Sequence, residues 1–241
     1  MNQAFYDQFI AVFQRNGLDA YLDDRIILQF EELTERMLET NRVTNITALT
    51  TLEKIIPLHY ADCVAVAAFI PQSAAVLDIG CGGGFPILPL AIVRPDLHLT
   101  GLDSTEKKIR HVQSTADAMG LSIQTIAARA EETANNATFR DSFDVVVSRA
   151  VARMNILSEL CLPFVRPGGH FVAMKGAAGA EELAEAANGI CKLGGKIIET
   201  HEFDLHTAGS SEKRTIVTIQ KVHSTPQGYP RAFGSIKKRP L

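Results

Sequence analysis

Length, composition and charge restrict the classes of protein to which this chain can belong. Its 241 residues, 46% of them hydrophobic, can bury a sizeable core, so we expect one domain with decorated ends. A charged fraction of 21% and no apolar run approaching about 18 residues argue against disorder and against a membrane span. The formal net charge of -3 gives no overall attraction to nucleic acid, so RNA binding would need a local basic surface.

The start of the chain and its cysteines indicate the compartment. The sequence does not open with a cationic segment followed by an apolar block, so we expect no export signal. The four cysteines are far apart and form no Cys-x-x-Cys pair, which argues against a zinc site and a disulfide framework. Reduced thiols are typical of a cytosol. We therefore expect a cytoplasmic monomer that binds no metal and no membrane.

Residues 1–70 are predicted to form a helical extension packed on the rest of the chain. Three phenylalanines recur at helical spacing and are interpreted as core residues rather than stacking platforms: Phe5, Phe9 and Phe13. A second apolar stripe follows Asp23, a natural N-cap residue. Residues 53–69 are predicted to form a further helix, with Pro57 near its start.

Residues 71–221 carry the pattern of a parallel sheet. Short apolar runs alternate there with helical segments, which is typical of a sheet wound by βα units. The seven predicted strands span residues 75–79, 97–102, 122–126, 143–147, 170–174, 196–204 and 215–221. The last two are joined by a polar turn and are predicted to form a hairpin. We therefore predict an α/β, Rossmann-like fold with a seven-stranded, mostly parallel sheet. This is the strand plan of class I S-adenosylmethionine methyltransferases, although an analogy of fold does not establish chemistry.

A glycine-rich turn directly follows the first predicted strand. Glycines at 80, 82 and 84 let the backbone bend sharply and pass close to a ligand. Phe85 stands where a dinucleotide-binding turn would have its third glycine, so the pattern Asp-x-Gly-x-Gly-x-Gly from Asp78 to Gly84 favours S-adenosylmethionine, which has no phosphate. Asp78 could help to hold the ammonium group of that molecule. The alternative is that the glycines only make a tight strand-to-helix turn.

Three further segments at the carboxyl ends of strands are candidate ligand contacts. Asp103 ends the second strand, where an acidic side chain can accept hydrogen bonds from both ribose hydroxyls of a nucleoside. After the third strand, the backbone of Ala130 and Glu131 could meet the edge of an adenine ring, and Arg149 follows the fourth strand. Taken singly, Asp103 and Glu131 could also start helices, and Arg149 could be an ion-pair residue.

The methyl acceptor is inferred from motifs that the sequence lacks. An Asn/Asp-Pro-Pro-aromatic motif, typical of enzymes that methylate exocyclic amines, is replaced by Ser148-Arg149-Ala150. No cysteine follows a proline, which disfavours the thiolate mechanism of pyrimidine C5 methylation. Guanine N7 carries no proton, so its methylation needs stacking and donors to the base edge, such as Arg149 and Lys175, rather than a catalytic acid or base. A small-molecule amine, thiol or hydroxyl acceptor would fit the same observations.

Taken together, these motifs resemble those of the glucose-inhibited division protein B family, the bacterial guanine-N7 methyltransferases of 16S ribosomal RNA. The resemblance covers nearly the full length. It also includes Asn45-Ile46-Thr47, His59 with Asp62, Lys107-Lys108, Met174-Lys175-Gly176 and Tyr229-Pro230-Arg231. His59 alone is more often a core or capping residue, and we assign it no chemistry. The resemblance implies S-adenosylmethionine as cofactor and a guanine near the decoding-site loop of the small subunit as acceptor.

The resemblance also implies which residues bind. Cofactor contacts would fall at Gly80, Phe85, Ala130, Glu131 and Arg149, with Asp103 as the acid after the second strand. The partner would be 16S ribosomal RNA or a small-subunit particle. The plausible RNA contacts are Arg149, Lys175 and three cations of the basic tail, residues 222–241: Arg231, Lys237 and Lys238. A solvated terminus is the alternative interpretation of that tail.

Two departures from the family pattern concern a helix start and the tail. Ile87 stands where the family commonly has glycine, and Ala232-Phe233 replaces the usual Lys-Ala. The first could reshape the start of the helix, and the second removes one positive charge. Two other functions remain open: a small-molecule methyltransferase that uses the same cofactor site, and a non-enzymatic Rossmann-like binding module.

Overall fold

A seven-stranded sheet forms the centre of the protein, whose computed structural model describes residues 2–241. The strands are β1 (Ala75–Ile79), β2 (His98–Asp103), β3 (Ile123–Ala127), β4 (Phe143–Arg149), β5 (Val165–Gly176), β6 (Gly195–His206) and β7 (Ser211–Lys221). Their order across the sheet is β3-β2-β1-β4-β5-β7-β6. The first five strands pair in parallel, whereas β7 is antiparallel to both β5 and β6. The prediction of a mostly parallel sheet with a final hairpin is confirmed.

The strand order reverses direction between β1 and β4, which are neighbours in the sheet although two strands separate them in the chain. Connections from these strands leave toward opposite faces, so a crevice opens at their carboxyl ends, where ligands bind in open α/β sheets. Any ligand of this fold is therefore expected beside the ends of β1 and β4.

Helices lie along both faces of the sheet. Within the described residues they are α1 (Gln3–Arg15), α2 (Asp24–Asn41), α3 (Leu52–Ile55), α4 (Asp62–Val64), α5 (Ile87–Val93), α6 (Glu106–Ala118), α7 (Ala130–Thr133), α8 (Met154–Cys161), α9 (Gly179–Lys192) and α10 (Phe233–Lys238). No helix in residues 2–241 has the length and apolar character that crossing a bilayer requires.

The N-terminal helices share a hydrophobic core with one face of the sheet. Phe5, Phe9 and Phe13 are buried in α1, which confirms their interpretation as core residues. Their cluster continues into sheet residues such as Val76 and Val145. Because the two parts share one core, the extension is held to the sheet by apolar burial. The boundaries at residues 70 and 221 stay a prediction.

The predicted helix over residues 53–69 is helical but not uniform. It starts as α3, continues as a π-helical turn over Ile56–Ala61, and ends as α4 and a 3₁₀ turn over Ala65–Phe69. Pro57 lies in the π turn, and proline removes a backbone donor, so the regular α-helical ladder is interrupted there. The irregular turn carries His59, and Asp62 follows it, both facing the end of β4 through contacts with Arg149.

The basic tail is docked on the sheet domain rather than solvated along its length. Arg140 donates hydrogen bonds to the carbonyl oxygens of Tyr229, at 2.9 Å, and Thr225, at 2.7 Å. Farther on, the chain forms α10, in which the side chain of Ile236 is fully buried. These contacts bring the end of the tail back beside α8.

Candidate functional site

A cavity of about 400 Å³ opens at the carboxyl ends of β1, β2, β3 and β4. Seven of the nine predicted cofactor residues line it: Gly80, Gly82, Phe85, Asp103, Ala130, Glu131 and Arg149. The other two, Asp78 and Gly84, are not part of its lining. Residues that are distant in the sequence therefore meet at the crevice that the strand order creates.

The loop after β1 needs its glycines for conformation and for space. Gly80, Gly82 and Gly84 have φ values of 72°, 56° and 96°, in the left-handed region that favours glycine. A Cβ atom on Gly80 would collide with Val151, and one on Gly84 would collide with Leu88. Because these positions have no side chain, the backbone of the loop itself lies against the cavity and against the following helix.

Asp103 connects this loop to the start of α6. Its Oδ2 accepts a hydrogen bond from the amide of Gly82 at 3.1 Å, and its Oδ1 accepts one from the amide of Thr105 at 2.8 Å. One carboxylate thus both accepts a hydrogen bond at the start of α6 and lines the cavity. Each carboxylate oxygen can accept a second hydrogen bond, so the side chain retains capacity for a ligand hydroxyl.

Asp78 lies behind the loop and supports α5. The residue is 1% exposed, and its Oδ2 accepts a hydrogen bond from the amide of Ile87, the first residue of α5, at 3.2 Å. Its Oδ1 is buried without a hydrogen-bond partner among the described residues. Burial raises the pKa of this carboxyl group to about 7, although Arg149 acts in the opposite direction. Contact between Asp78 and a cofactor ammonium group stays a prediction.

Replacing Asp78 by asparagine is expected to remove part of the pH dependence of stability. Because the folded-state pKa is raised, the stabilisation by the protonated form is complete below the ordinary carboxyl pKa of 3.8 and is lost as pH rises through about 7. Relative to the wild type, Asp78→Asn should therefore gain stability as pH rises from about 4 to about 7, at no more than about 1.4 kcal/mol per pH unit, and the difference should level off above that pH. Urea unfolding at several pH values measures this difference. Parallel curves for the two proteins would contradict the assignment.

A hydrogen-bonded network fixes Arg149 at the rim of the cavity. Its guanidinium donates to the carbonyl oxygen of Leu58 at 3.1 Å, to Oδ2 of Asp62 at 3.2 Å and to Nδ1 of His59 at 3.1 Å. The ring of His59 stacks on Phe85 with centroids 4.1 Å apart and planes inclined by 7°. The arginine, the histidine and the phenylalanine therefore form one preorganised wall.

The protonation state of His59 follows from its partners. Burial, and secondly the charge of Arg149, lower its pKa to about 3, so the ring is neutral at physiological pH. Arginine can only donate hydrogen bonds, so Nδ1 accepts and the ring proton is on Nε2. That Nε2–H donates to Oγ1 of Thr47 at 2.7 Å, and the same hydroxyl oxygen accepts from the amide of Leu49. His59 thus accepts a hydrogen bond from Arg149 and presents the flat face of its ring to Phe85.

A second cavity of about 380 Å³ shares Arg149 and Ala150 with the first. Its lining includes Lys175, which forms an ion pair with Glu182 at 2.7 Å and donates to a backbone carbonyl. Arg214 also lines it and pairs with Asp62 at 3.0 Å. The two predicted base-edge donors, Arg149 and Lys175, therefore border one recess next to the first cavity.

The sequence pattern did not identify the residues that hold Arg149 in place. His59 and Asp62 are polar residues in an otherwise apolar stretch and lie three residues apart, a spacing that places them on one helix face. That pattern could have indicated an inward-facing polar pair. Arg214 has no such signal, because only the pairing of β7 with β5 brings it near.

The predicted RNA-binding cations of the tail have different environments. Arg231 donates to both carboxylate oxygens of Glu159, whose side chain is fully buried. Lys237 and Lys238 are exposed on α10. The arginine therefore anchors the tail, and the two lysines present free positive charge to solvent. RNA contact by any of the three stays a prediction.

Comparison with known proteins agrees with this geometry. The family model described as GidB, rRNA small subunit methyltransferase G, matches residues 26–210. The chain belongs to this family. Ribosomal RNA small subunit methyltransferase G of Brevibacillus brevis is 41% identical over 239 residues, 98% of either chain. The protein of the same name from Exiguobacterium sp. is 40% identical over 237 residues, 97% of this chain and 98% of that one.

Solved structures share the fold of this family member at much lower identity. The crystal structure of a SAM-dependent methyltransferase from Methanosarcina mazei superposes with a TM-score of 0.53 at 16% identity, covering 66% of this chain and 97% of the other. Such a likeness demonstrates the Rossmann-like methyltransferase fold alone. Membership of the GidB family rests on the sequence comparisons.

Proposed function

We propose that this protein transfers the methyl group of S-adenosylmethionine to N7 of a guanine in small-subunit ribosomal RNA, near the decoding-site loop. The observation that carries the proposal is the cavity at the strand-order reversal, lined by the glycine loop and Asp103 in a member of the GidB family. We further propose that the protein acts as a cytoplasmic monomer, on naked RNA or on a small-subunit particle.

The residues of the cavity fit S-adenosylmethionine. A volume of about 400 Å³ lies in the range of small-molecule sites. A Cβ atom on Gly80 or Gly83 would collide with Val151 or Ile46, both of which line the cavity, so the bare loop leaves backbone exposed to a ligand. Asp103 would accept hydrogen bonds from the ribose hydroxyls, and the backbone of Ala130 and Glu131 would face the adenine.

The protein's own contribution to methyl transfer is alignment. When bound, S-adenosylmethionine supplies a methyl group on a sulfonium, which already has a good leaving group. Guanine N7 has a free lone pair and no proton to remove, so positioning of the two reactants accounts for the catalysis. Arg149 borders both cavities and is held by Asp62 and His59, so its guanidinium is fixed between cofactor site and recess.

The neighbouring recess supports a guanine as the acceptor. Its cations, Arg149, Lys175 and Arg214, can donate hydrogen bonds, and the Hoogsteen edge of guanine presents the acceptors N7 and O6. An arginine directed to O6 would orient the base without occupying N7. The ion pairs with Asp62 and Glu182 hold all three cations in place before the base arrives.

Methyl transfer to unmodified RNA tests the proposal. The protein is incubated with tritiated S-adenosylmethionine and either small-subunit RNA or small-subunit particles that lack this methylation, followed by nucleoside analysis. We expect label in 7-methylguanosine. Label in another nucleoside would refute the N7 assignment, label only in small molecules would support the rival acceptor class, and no binding of the donor would indicate a non-enzymatic module.

Salt-dependent RNA affinity tests the role of the exposed lysines. If Lys237 and Lys238 each contact a phosphate, their joint replacement by alanine should reduce the slope of log affinity against log salt concentration by about 2. Filter binding at several salt concentrations measures the slope. Replacement of two exposed lysines outside the tail and outside the cavity lining, Lys54→Ala with Lys107→Ala, is the comparison for charge removal elsewhere. An unchanged slope in the tail variant would refute RNA contact there.

A further inference from the structure

An aromatic side chain of the tail reaches the cavity. Phe233, the first residue of α10, lines the same cavity as Ala130, Glu131 and Leu160. Sequence reasoning assigned the tail only to RNA. In this short helix, Phe233 thus lines the cavity, whereas Lys237 is exposed to solvent.

Phe233 is held there by contacts that do not involve a ligand. Three residues farther along α10, the fully buried Ile236 packs into the cluster that contains Ala130 and Leu160. Just before α10, Arg231 is bound to the buried carboxylate of Glu159 on α8. The helix therefore has little freedom to withdraw, and the position of Phe233 is preorganised.

The exposure of Phe233 is unusual for a large hydrophobic side chain. Within residues 2–241, six large hydrophobic side chains are exposed, and two of them, Val151 at 40% and Phe233 at 37%, line this cavity. Two apolar side chains left open to water at one cavity would be covered if a flat apolar ring lay between or against them. Adenine has this character, and the backbone of Ala130 and Glu131, where the edge of the adenine is expected, belongs to the same cavity lining as Phe233.

We propose that Phe233 is a cofactor-binding residue that packs against the adenine of S-adenosylmethionine and closes that end of the cavity. The inference rests on the proposed use of this cofactor. It makes the C-terminal tail part of the cofactor site as well as part of the proposed RNA surface. Stacking of a base on an aromatic ring contributes enough that its removal should weaken binding about tenfold.

Calorimetric titration with S-adenosylhomocysteine, the demethylated product, tests the proposal without RNA or turnover. We expect Phe233→Ala to bind about tenfold more weakly than the wild type and Phe233→Tyr to bind within about twofold of it, since tyrosine keeps the aromatic face. Ser235→Ala, at an exposed position of the same helix, is the matched control and should bind like the wild type. Equal affinities for wild type and Phe233→Ala would overturn the proposal.

A second measurement separates a direct contact from a loosened tail. In the wild-type complex, nuclear Overhauser effects between the adenine protons and the Phe233 ring are expected, and their absence would overturn the proposal even if Phe233→Ala binds weakly. If the wild type itself does not bind S-adenosylhomocysteine, the proposed function fails together with this inference. Binding by the wild type with no effect of Phe233→Ala refutes the role of Phe233 alone.

Discussion

Replacing Arg231 by alanine is expected to lower the free energy of unfolding by about 3 to 5 kcal/mol, the usual cost of removing one partner of a buried ion pair. The Glu159 side chain is fully buried. Its Oε1 accepts hydrogen bonds from the backbone amide of Arg231 at 2.8 Å and from the Nε of Arg231 at 2.9 Å. Without the guanidinium, the buried carboxylate keeps the backbone amide of residue 231 but loses its charged partner. Urea unfolding measures the loss.

Two comparison variants give this prediction its specificity. Arg239→Ala removes an exposed positive charge from the same tail and should change stability by less than about 0.5 kcal/mol. The double change Glu159→Leu with Arg231→Met removes both charges and should recover most of the loss, because no unpaired charge stays buried. Equal stability of Arg231→Ala and the wild type would show that the tail does not depend on this pair.

Replacing Asp103 by alanine is expected to weaken S-adenosylhomocysteine binding by at least about 100-fold. The proposed role of the carboxylate is to accept hydrogen bonds from two ribose hydroxyls, and hydrogen bonds to a charged group contribute about 1.5 to 3 kcal/mol each. The loss of the Gly82 amide contact adds to the effect by releasing the glycine loop. Isothermal titration calorimetry measures the affinity directly.

The control for Asp103→Ala is a neighbouring carboxylate with no cavity contact. Glu106 is exposed in the first turn of α6, pairs with Arg110 at 3.6 Å and does not line the cavity, so Glu106→Ala should bind the ligand like the wild type. A 2′-deoxyribose analogue of the ligand provides the sharper test. It should bind the wild type more weakly than S-adenosylhomocysteine does, whereas Asp103→Ala should scarcely distinguish the two. If Asp103→Ala binds the 2′-deoxyribose analogue as much more weakly than S-adenosylhomocysteine as the wild type does, the ribose does not contact Asp103.

The sheet was predictable because its signals are local. A buried parallel strand reads as a short apolar run, and β1 begins and ends where the sequence pattern predicts. The beginning of β5 was not predictable from the pattern. The structure starts it at Val165, five residues before the predicted start at residue 170, because Val165 pairs with Phe143 before the register shifts. Polar and glycine residues in between conceal that pairing from a hydrophobicity pattern.

The candidate site was predictable as far as backbone conformation requires particular residues. The turn after β1 requires glycines with positive φ, and the end of β2 at the sheet edge is where an acid can meet a ligand. Gly80 and Asp103 could therefore be found from spacing alone. The orientation of Asp78 could not, because its hydrogen bond to Ile87 depends on how α5 begins. The sequence also gives no indication that Phe233 reaches the cavity, since that contact requires the tail to dock.

A crystal structure of the protein with S-adenosylhomocysteine tests the central claim most directly. The account predicts the ligand along the loop of Gly80 and Gly82, with both ribose hydroxyls on the carboxylate of Asp103 and the adenine between the Ala130 backbone and the ring of Phe233. Density for the ligand in the second cavity, or a first cavity closed by movement of Phe85, would contradict it.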